Sequence, residues 1–356
     1  TEVPEFAAAG LLADTGPYLK PVIDNLYAGA VNTSQYAGAW VAFPYSVNSK
    51  LFYYRSDLFS QAGIDPQAIQ TVDDYLAAGQ KFTTKFPGQY IQNVYTSPPQ
   101  YLFDNVMSAF YPISFYNRAA GKWDITSDPA FASAFEFIRQ LTTIAYPVDD
   151  FTKDWPTAIS NGKITGFLGD NWLRAFIPGY AGLAQKGLWR AIPWPQLNPY
   201  LADQRYGSDA GGAVYVVPEG APNKTLALEV LAHQFANETG ALAAFRATNF
   251  PPMLKSVEGE VLSYIKSSTK ASSMSETDWE ELPQNYFPSD YYATEFSTYN
   301  YARAFGFDPS SLKEVFTIAQ PWYDKVTGSK VSISSILEGL QSDMESQIGN
   351  PFTAAA

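Results

Sequence analysis

The chain has 356 residues, 46% of them hydrophobic, which is enough for two domains and too apolar for a disordered polymer. Lys and Arg number 23 against 35 Asp and Glu, a net charge of −12 without a basic patch, so nucleic acid and anionic membranes are poor partners. No cysteine is present, which excludes disulfides, cysteine zinc sites and cysteine nucleophiles, and no apolar run approaches the ~18 residues that span a bilayer.

In chain order, residues 4–14 read as a helix ending near Gly10, with a turn at Pro17-Tyr18. Residues 38–65 read as a long aromatic and β-branched strand running into a helix, interrupted by Pro44. Proline cannot donate to a sheet ladder, so the strand should break or change sheets there. Residues 66–85 carry helical periodicity, with Thr71 as N-cap and Asp73-Asp74 in the first turn. Asp73-Asp74 suit the helix dipole better than a catalytic carboxylate pair, and Asp149-Asp150 read as a loop that can face a cleft. A Pro-started amphipathic helix is predicted over 98–118, and another from Asp128-Pro129 through Ala145. Residues 157–174 read as a short helix, a buried strand and a Gly169-Asp170-Asn171-Trp172 turn. Gly211-Gly212 precede a Val-rich strand and signal a bend or a close backbone approach. Asn223 is expected to cap a long helix over 226–239. It contains His233, the only histidine, which reads as structural. A Pro251-Pro252 turn and amphipathic helices near the C-terminus complete the series.

Four of these segments, in this order, resemble the extracytoplasmic sugar-binding proteins of bacterial ABC importers, the group that includes the maltose- and maltodextrin-binding proteins. The first is Phe43-Pro44-Tyr45 with Tyr54-Arg55-Ser56-Asp57-Leu58-Phe59 and Ala62-Gly63. The second runs from Thr157 to Arg174, with its Gly-Lys and its Gly-x-x-Trp turn. The third is Tyr206 to Pro218, and the fourth begins at Gln320-Pro321-Trp322. The match is weak between about 255 and 315. The resemblance implies an α/β, two-lobe, type II periplasmic-binding-protein-like fold with a hinged cleft. Crossings between lobes are expected near 43–50 and 208–214. Lobe one would be residues 1–45 plus 212–265, and lobe two 46–211 plus 266–356. The first segment, Pro4 to Asp14, resembles a stretch that lies well inside the family's first lobe. At ~30 residues per βαβ unit, on the order of 60 residues of that lobe are then expected ahead of it, in this chain or as a separate piece.

The same resemblance implies a carbohydrate ligand, an ABC permease as membrane partner, no cofactor, a monomer, and an extracytoplasmic location in the periplasm or as a cell-surface lipoprotein. Trp172 and Trp322 match tryptophans that commonly stack on sugar rings, and Tyr101 has a similar precedent. The plain alternative for each is packing. Asp170 and Asn171 are placed to hydrogen-bond hydroxyls, or are turn residues. Tyr45 and Asn48 lie on the first crossing, and Asp209, Gly211 and Gly212 on the second. Trp40 is expected in the core. The abundance of Tyr and Trp, 24 and 8, is mildly suggestive of sugar, whose apolar C–H faces and polar rims match rings with a polar edge.

Enzymes are poorly supported. No Walker loop, Gly-x-Ser-x-Gly elbow, His-Glu-x-x-His motif or EF-hand loop is present, and one histidine leaves no nucleophilic triad. A glycoside hydrolase needs only two carboxylates and stays open as the rival reading. A receptor or adhesin module on the same fold is the third.

Overall fold

The computed structural model describes residues 2–94, 106, 114–195, 212–302 and 308–352. Its organising element is the Lys50–Arg55 strand, paired antiparallel with Gly166–Asp170 on one side and Trp189–Pro193 on the other. Successive side chains on a strand point to opposite faces. Phe52 and Tyr54 accordingly enter one hydrophobic core, and Leu51 and Tyr53 another. The first core gathers the helices Val72–Lys85, Pro129–Leu141, Gln320–Gly328 and Ile333–Gln347. The second takes up Asp154–Ser160, Tyr291–Thr298 and Glu238–Thr248, together with Leu19, Tyr27 and Trp40 from the N-terminal part.

Phe43–Pro44 pairs antiparallel with Val214–Tyr215, with Pro44 opposite Val214. The chain leaves this pair at Tyr45 and joins the three-stranded sheet at Lys50. That is the change of sheet expected from a proline in the ladder. Close approach fixes the other side of the sheet. A Cβ on Gly166 would fall 2.9 Å from both the Ile91 and the Tyr53 carbonyl oxygens.

Local capping signals hold where they are strong. Thr71 and Asp74 form a reciprocal capping box on Val72–Lys85, and Asp128 accepts from the Ala130 N–H ahead of Pro129–Leu141. Other expectations are corrected. The helix expected over 98–118 does not reach 118: Tyr116–Asn117 is a strand paired with Lys122–Trp123, after Pro112 and before the turn at Gly121. Most of that helix lies outside the described residues. The helix from Pro129 stops at Leu141, and Tyr146–Pro147 instead pairs in parallel with Asn93–Val94. The helix expected over 226–239 is two, Lys224–Phe235 and Glu238–Thr248. Asn237 supplies the second cap, to the Gly240 N–H, and Asn223 makes no side-chain cap bond. Pro17 opens a short helix, Gly16–Leu19, in place of a turn. His233 is exposed.

Asp308 and Glu314, 3% and 2% exposed, lie where Ser311–Lys313 leads into the π-helical turn Glu314–Ala319. Burial pushes both carboxyls above the ordinary range. The neighbouring Asp308 charge and a hydrogen bond between the two push Glu314 further. The pair therefore favours holding a proton in the folded chain that it gives up on unfolding.

Two predictions follow from this packing. Gly166→Ala should cost about 1–3 kcal/mol, read as a lower urea midpoint, because backbone lies on both sides of the new methyl. A folded carboxyl with a raised pKa stabilises below the ordinary glutamate range and loses that contribution as pH rises. The melting temperature of Glu314→Gln should therefore fall less between pH 5 and pH 8 than that of the unsubstituted chain.

Candidate functional site

The Gly166–Asp170 strand is buried along its whole length and ends in the 3₁₀ turn Asn171–Ala175. The polar groups at this end of the strand are held largely by partners distant in sequence. Asp170, 3% exposed, is paired through Oδ1 with the fully buried Lys50 ammonium directly across the ladder. Its Oδ2 accepts from Trp172 Nε1 at 3.2 Å. Burial pushes the Asp170 carboxyl up, against the downward pull of the Lys50 charge.

Asn171 is buried and works as a connector. Its backbone N–H donates to the Ser49 carbonyl at 2.9 Å, and its side-chain amide to the Val47 carbonyl at 2.9 Å and to Glu295 Oε1 at 2.7 Å. Asn48, half-buried, sits between those two carbonyls. Glu295 Oε1 also accepts from Tyr299 Oη at 2.6 Å and from Arg174 Nη1 at 3.1 Å. Arg174 returns a second bond to the Asn171 carbonyl at 2.8 Å, and Tyr53 donates to the same oxygen at 3.2 Å. Burial is the largest influence and opposes the Arg174 charge, but the Glu295 carboxylate together with Tyr291, Tyr292 and Tyr299 holds the guanidinium above its ordinary pKa.

Trp172 is thus pinned between a carboxylate on its indole N–H and a rigid turn. It lines a shallow depression shared with Gln92, Asn93, Asp150, Leu168 and Trp194. Asn93 Nδ2 donates to the Val148 carbonyl at 3.0 Å and to Asp150 Oδ1 at 2.6 Å. Gln92 Oε1 accepts from the Leu168 N–H at 2.6 Å, and Trp194 Nε1 donates to the Leu51 and Gly169 carbonyls at 2.9 and 3.1 Å. Phe151 stacks on Trp172 with ring centroids 5.5 Å apart and planes at 28°. It is 56% exposed and has φ 62°, a conformation costing a bulky residue roughly 1–2 kcal/mol. An apolar wall with a few fixed polar groups is the usual composition of a small-molecule site.

Of the residues expected at the site, Asp170, Asn171 and Trp172 come together here, while Asn48 is placed only by its neighbours Val47 and Ser49, whose carbonyls bind Asn171. Asp170 and Asn171 spend their polar atoms on internal partners. Tyr45 lies elsewhere, against Phe235, Phe250 and Tyr215, in a separate shallow depression. Gly212 adjoins Ala213, whose carbonyl accepts from the Tyr45 and Ser46 N–H groups. Trp322 stands apart on the Gln320–Gly328 helix. Its Nε1 donates to Asp343 Oδ2 at 2.8 Å, its ring fills the space left by Gly339, and Lys325 Nζ lies 3.5 Å above it. Tyr101, Asp209 and Gly211 lie outside the described residues. Lys50, Phe151, Trp194 and Glu295 were missed. The signals available were a lone lysine opening an apolar strand and a lone glutamate in the aromatic run 291–299. Among the described residues no His, Cys, Asp or Glu cluster could hold a metal ion, and no helix is long and apolar enough to cross a membrane.

Arg174→Met should destabilise by about 3–5 kcal/mol, since it leaves Glu295 buried and unpaired, whereas Arg174→Met with Glu295→Leu should recover most of the loss. Urea unfolding of the two variants measures this. A double variant no more stable than the single would show that the pair is not the linchpin of the turn.

Comparison with known proteins gives three findings. The model of the bacterial extracellular solute-binding protein family matches residues 1–271. A curated arabinooligosaccharide-binding protein from Halalkalibacterium halodurans is 31% identical over 64 residues, a stretch that makes up 18% of this chain and only 14% of that relative. Among solved structures, the sugar-binding protein MalE of Xanthomonas citri superposes with TM-score 0.75 at 16% identity, over 99% of this chain and 81% of that one. An ABC-transporter-associated binding protein from B. animalis subsp. lactis, solved with β-1,6-galactobiose, gives TM-score 0.70 at 22% identity, over 98% and 83%. At these identities the likeness establishes the fold, the two-lobe α/β arrangement expected from the sequence.

Proposed function

The chain belongs to the bacterial extracellular solute-binding protein family, and on that premise we propose that it captures a neutral saccharide and delivers it to an ABC permease outside the cytoplasm. The observation that carries this reading is Trp172, an aromatic plane fixed at the wall of a depression whose other polar groups include Asn93 and Asp150. A sugar presents apolar C–H faces to such a plane and hydroxyls to such groups. The relatives whose names record a sugar ligand support the same class. The reading takes residues 1–45 with 212–265 as one lobe and 46–211 with 266–356 as the other, closing on the ligand about the crossings at 43–50 and 208–214. The ligand leaves unchanged; no chemistry is done on it.

Trp172→Ala should weaken saccharide binding by about 1–3 kcal/mol, from the lost ring burial, while the fold is retained. Titration calorimetry against a panel of mono- and oligosaccharides measures the affinity, and chromatography of the recovered sugar checks that it is intact. Unchanged affinity would remove Trp172 from the site. Turnover above a protein-free control would favour a hydrolase.

A further inference from the structure

We propose that Phe151 is a binding residue, the preformed aromatic contact for a second sugar unit beyond the one at Trp172. The inference rests on the saccharide reading above. From the depression, the aromatic surface continues outward through Trp172 to Phe151, which stacks on it and is 56% exposed. Phe151 holds this position against its own backbone preference, at φ 62°. Glycine or asparagine adopts that conformation far more readily. A ring more than half open to solvent recovers little from burial, so folding alone gives a poor reason for a phenylalanine at this angle.

The surroundings are built to keep it there. Trp155 and Phe176 meet the ring edge-on at 5.4 and 5.8 Å. Thr152 Oγ1 donates to the Asp149 carbonyl at 2.8 Å, and Asp150 is tied to Asn93, so both chain neighbours of Phe151 are fixed. Strained residues that their surroundings over-determine concentrate at ligand contacts. What this one presents is a flat, preorganised apolar face next to the Asp150 carboxylate, which accepts from Asn93 Nδ2. That combination suits a pyranose or furanose ring lying one unit along from Trp172, and sets a preference for disaccharides and longer chains over monosaccharides.

The test uses Phe151→Ala and Phe151→Gly in the full chain, titrated calorimetrically with three pairs: glucose and maltose, galactose and β-1,6-galactobiose, arabinose and arabinobiose. For whichever pair binds, Phe151→Ala should lose about tenfold in disaccharide affinity, the range expected of one aromatic contact, and less than twofold for the monosaccharide. Phe151→Gly should show the same binding loss and melt at or above Phe151→Ala, because glycine relieves the backbone. Disaccharide affinity within twofold of the unsubstituted chain, or an equal loss for both members of a pair, would overturn this inference and leave the saccharide reading standing. An unsubstituted chain that binds none of the six sugars would overturn both. A Phe151→Gly variant that melts below Phe151→Ala would overturn the argument from strain.

Discussion

The structure depends on one buried carboxylate. Glu295 Oε1 gathers Asn171, Arg174 and Tyr299, and through Asn171 it reaches the carbonyl of Val47. Three chain segments are tied together here: the turn after the Gly166–Asp170 strand, through Asn171 and Arg174, the Tyr291–Thr298 helix with Tyr299 at its end, and, through Asn171, the stretch after Pro44. Removing two charges from water costs several kcal/mol each, so such a pair adds little net stability over an apolar replacement. What it contributes is position. An apolar cluster tolerates several packings, whereas a carboxylate with three donors accepts one. Because Trp172 lies between Asn171 and Arg174, the indole plane inherits that single solution.

A second constraint is the alternation along Lys50–Arg55. One strand serves two cores, so its register decides what each core contains. Lys50 guards that register. Its ammonium is fully buried and has a carboxylate across the ladder only if Lys50 stands opposite Asp170. A slip of one residue would leave both charges buried without partners and would turn Phe52 and Tyr54 away from their core. The pair that fixes the strand therefore also sets the carboxylate that Trp172 donates to, so fold and site share one anchor.

The parts legible in the sequence were those with a local cause. Pro44 announced the sheet change because a missing N–H acts where it stands. Thr71 and Asp128 announced helix starts because a cap acts within three residues. The Gly169-to-Trp172 turn was legible for the same reason. The parts that were not legible have distant causes. Arg174 and Glu295 are 121 residues apart, and neither carries a local sign of the other. Trp322 and Trp172 look alike as tryptophans near helix or strand ends. Only Gly339 and Asp343 on the following helix give Trp322 its packed environment. The break at Ala236 was obscured because apolar residues continue on both sides of it, and only the Asn237 cap marks the second start.

Electrostatics bears on the saccharide reading proposed above. The chain carries a net charge of −12, which repels anions at long range. Close to Trp172 the buried cations are already committed, Lys50 to Asp170 and Arg174 to Glu295. An incoming phosphate or carboxylate would have to compete with those carboxylates for the same ammonium and guanidinium, and breaking either pair would strand a buried charge. The Asp150 carboxylate at the depression accepts hydrogen bonds and opposes negative charge. A neutral ligand with hydroxyl donors meets none of these penalties, and the aromatic surface of Trp172 and Phe151 gives its apolar face somewhere to lie. The internal pairing of the buried charges is thus what would favour uncharged, hydroxyl-rich solutes on the saccharide reading proposed above.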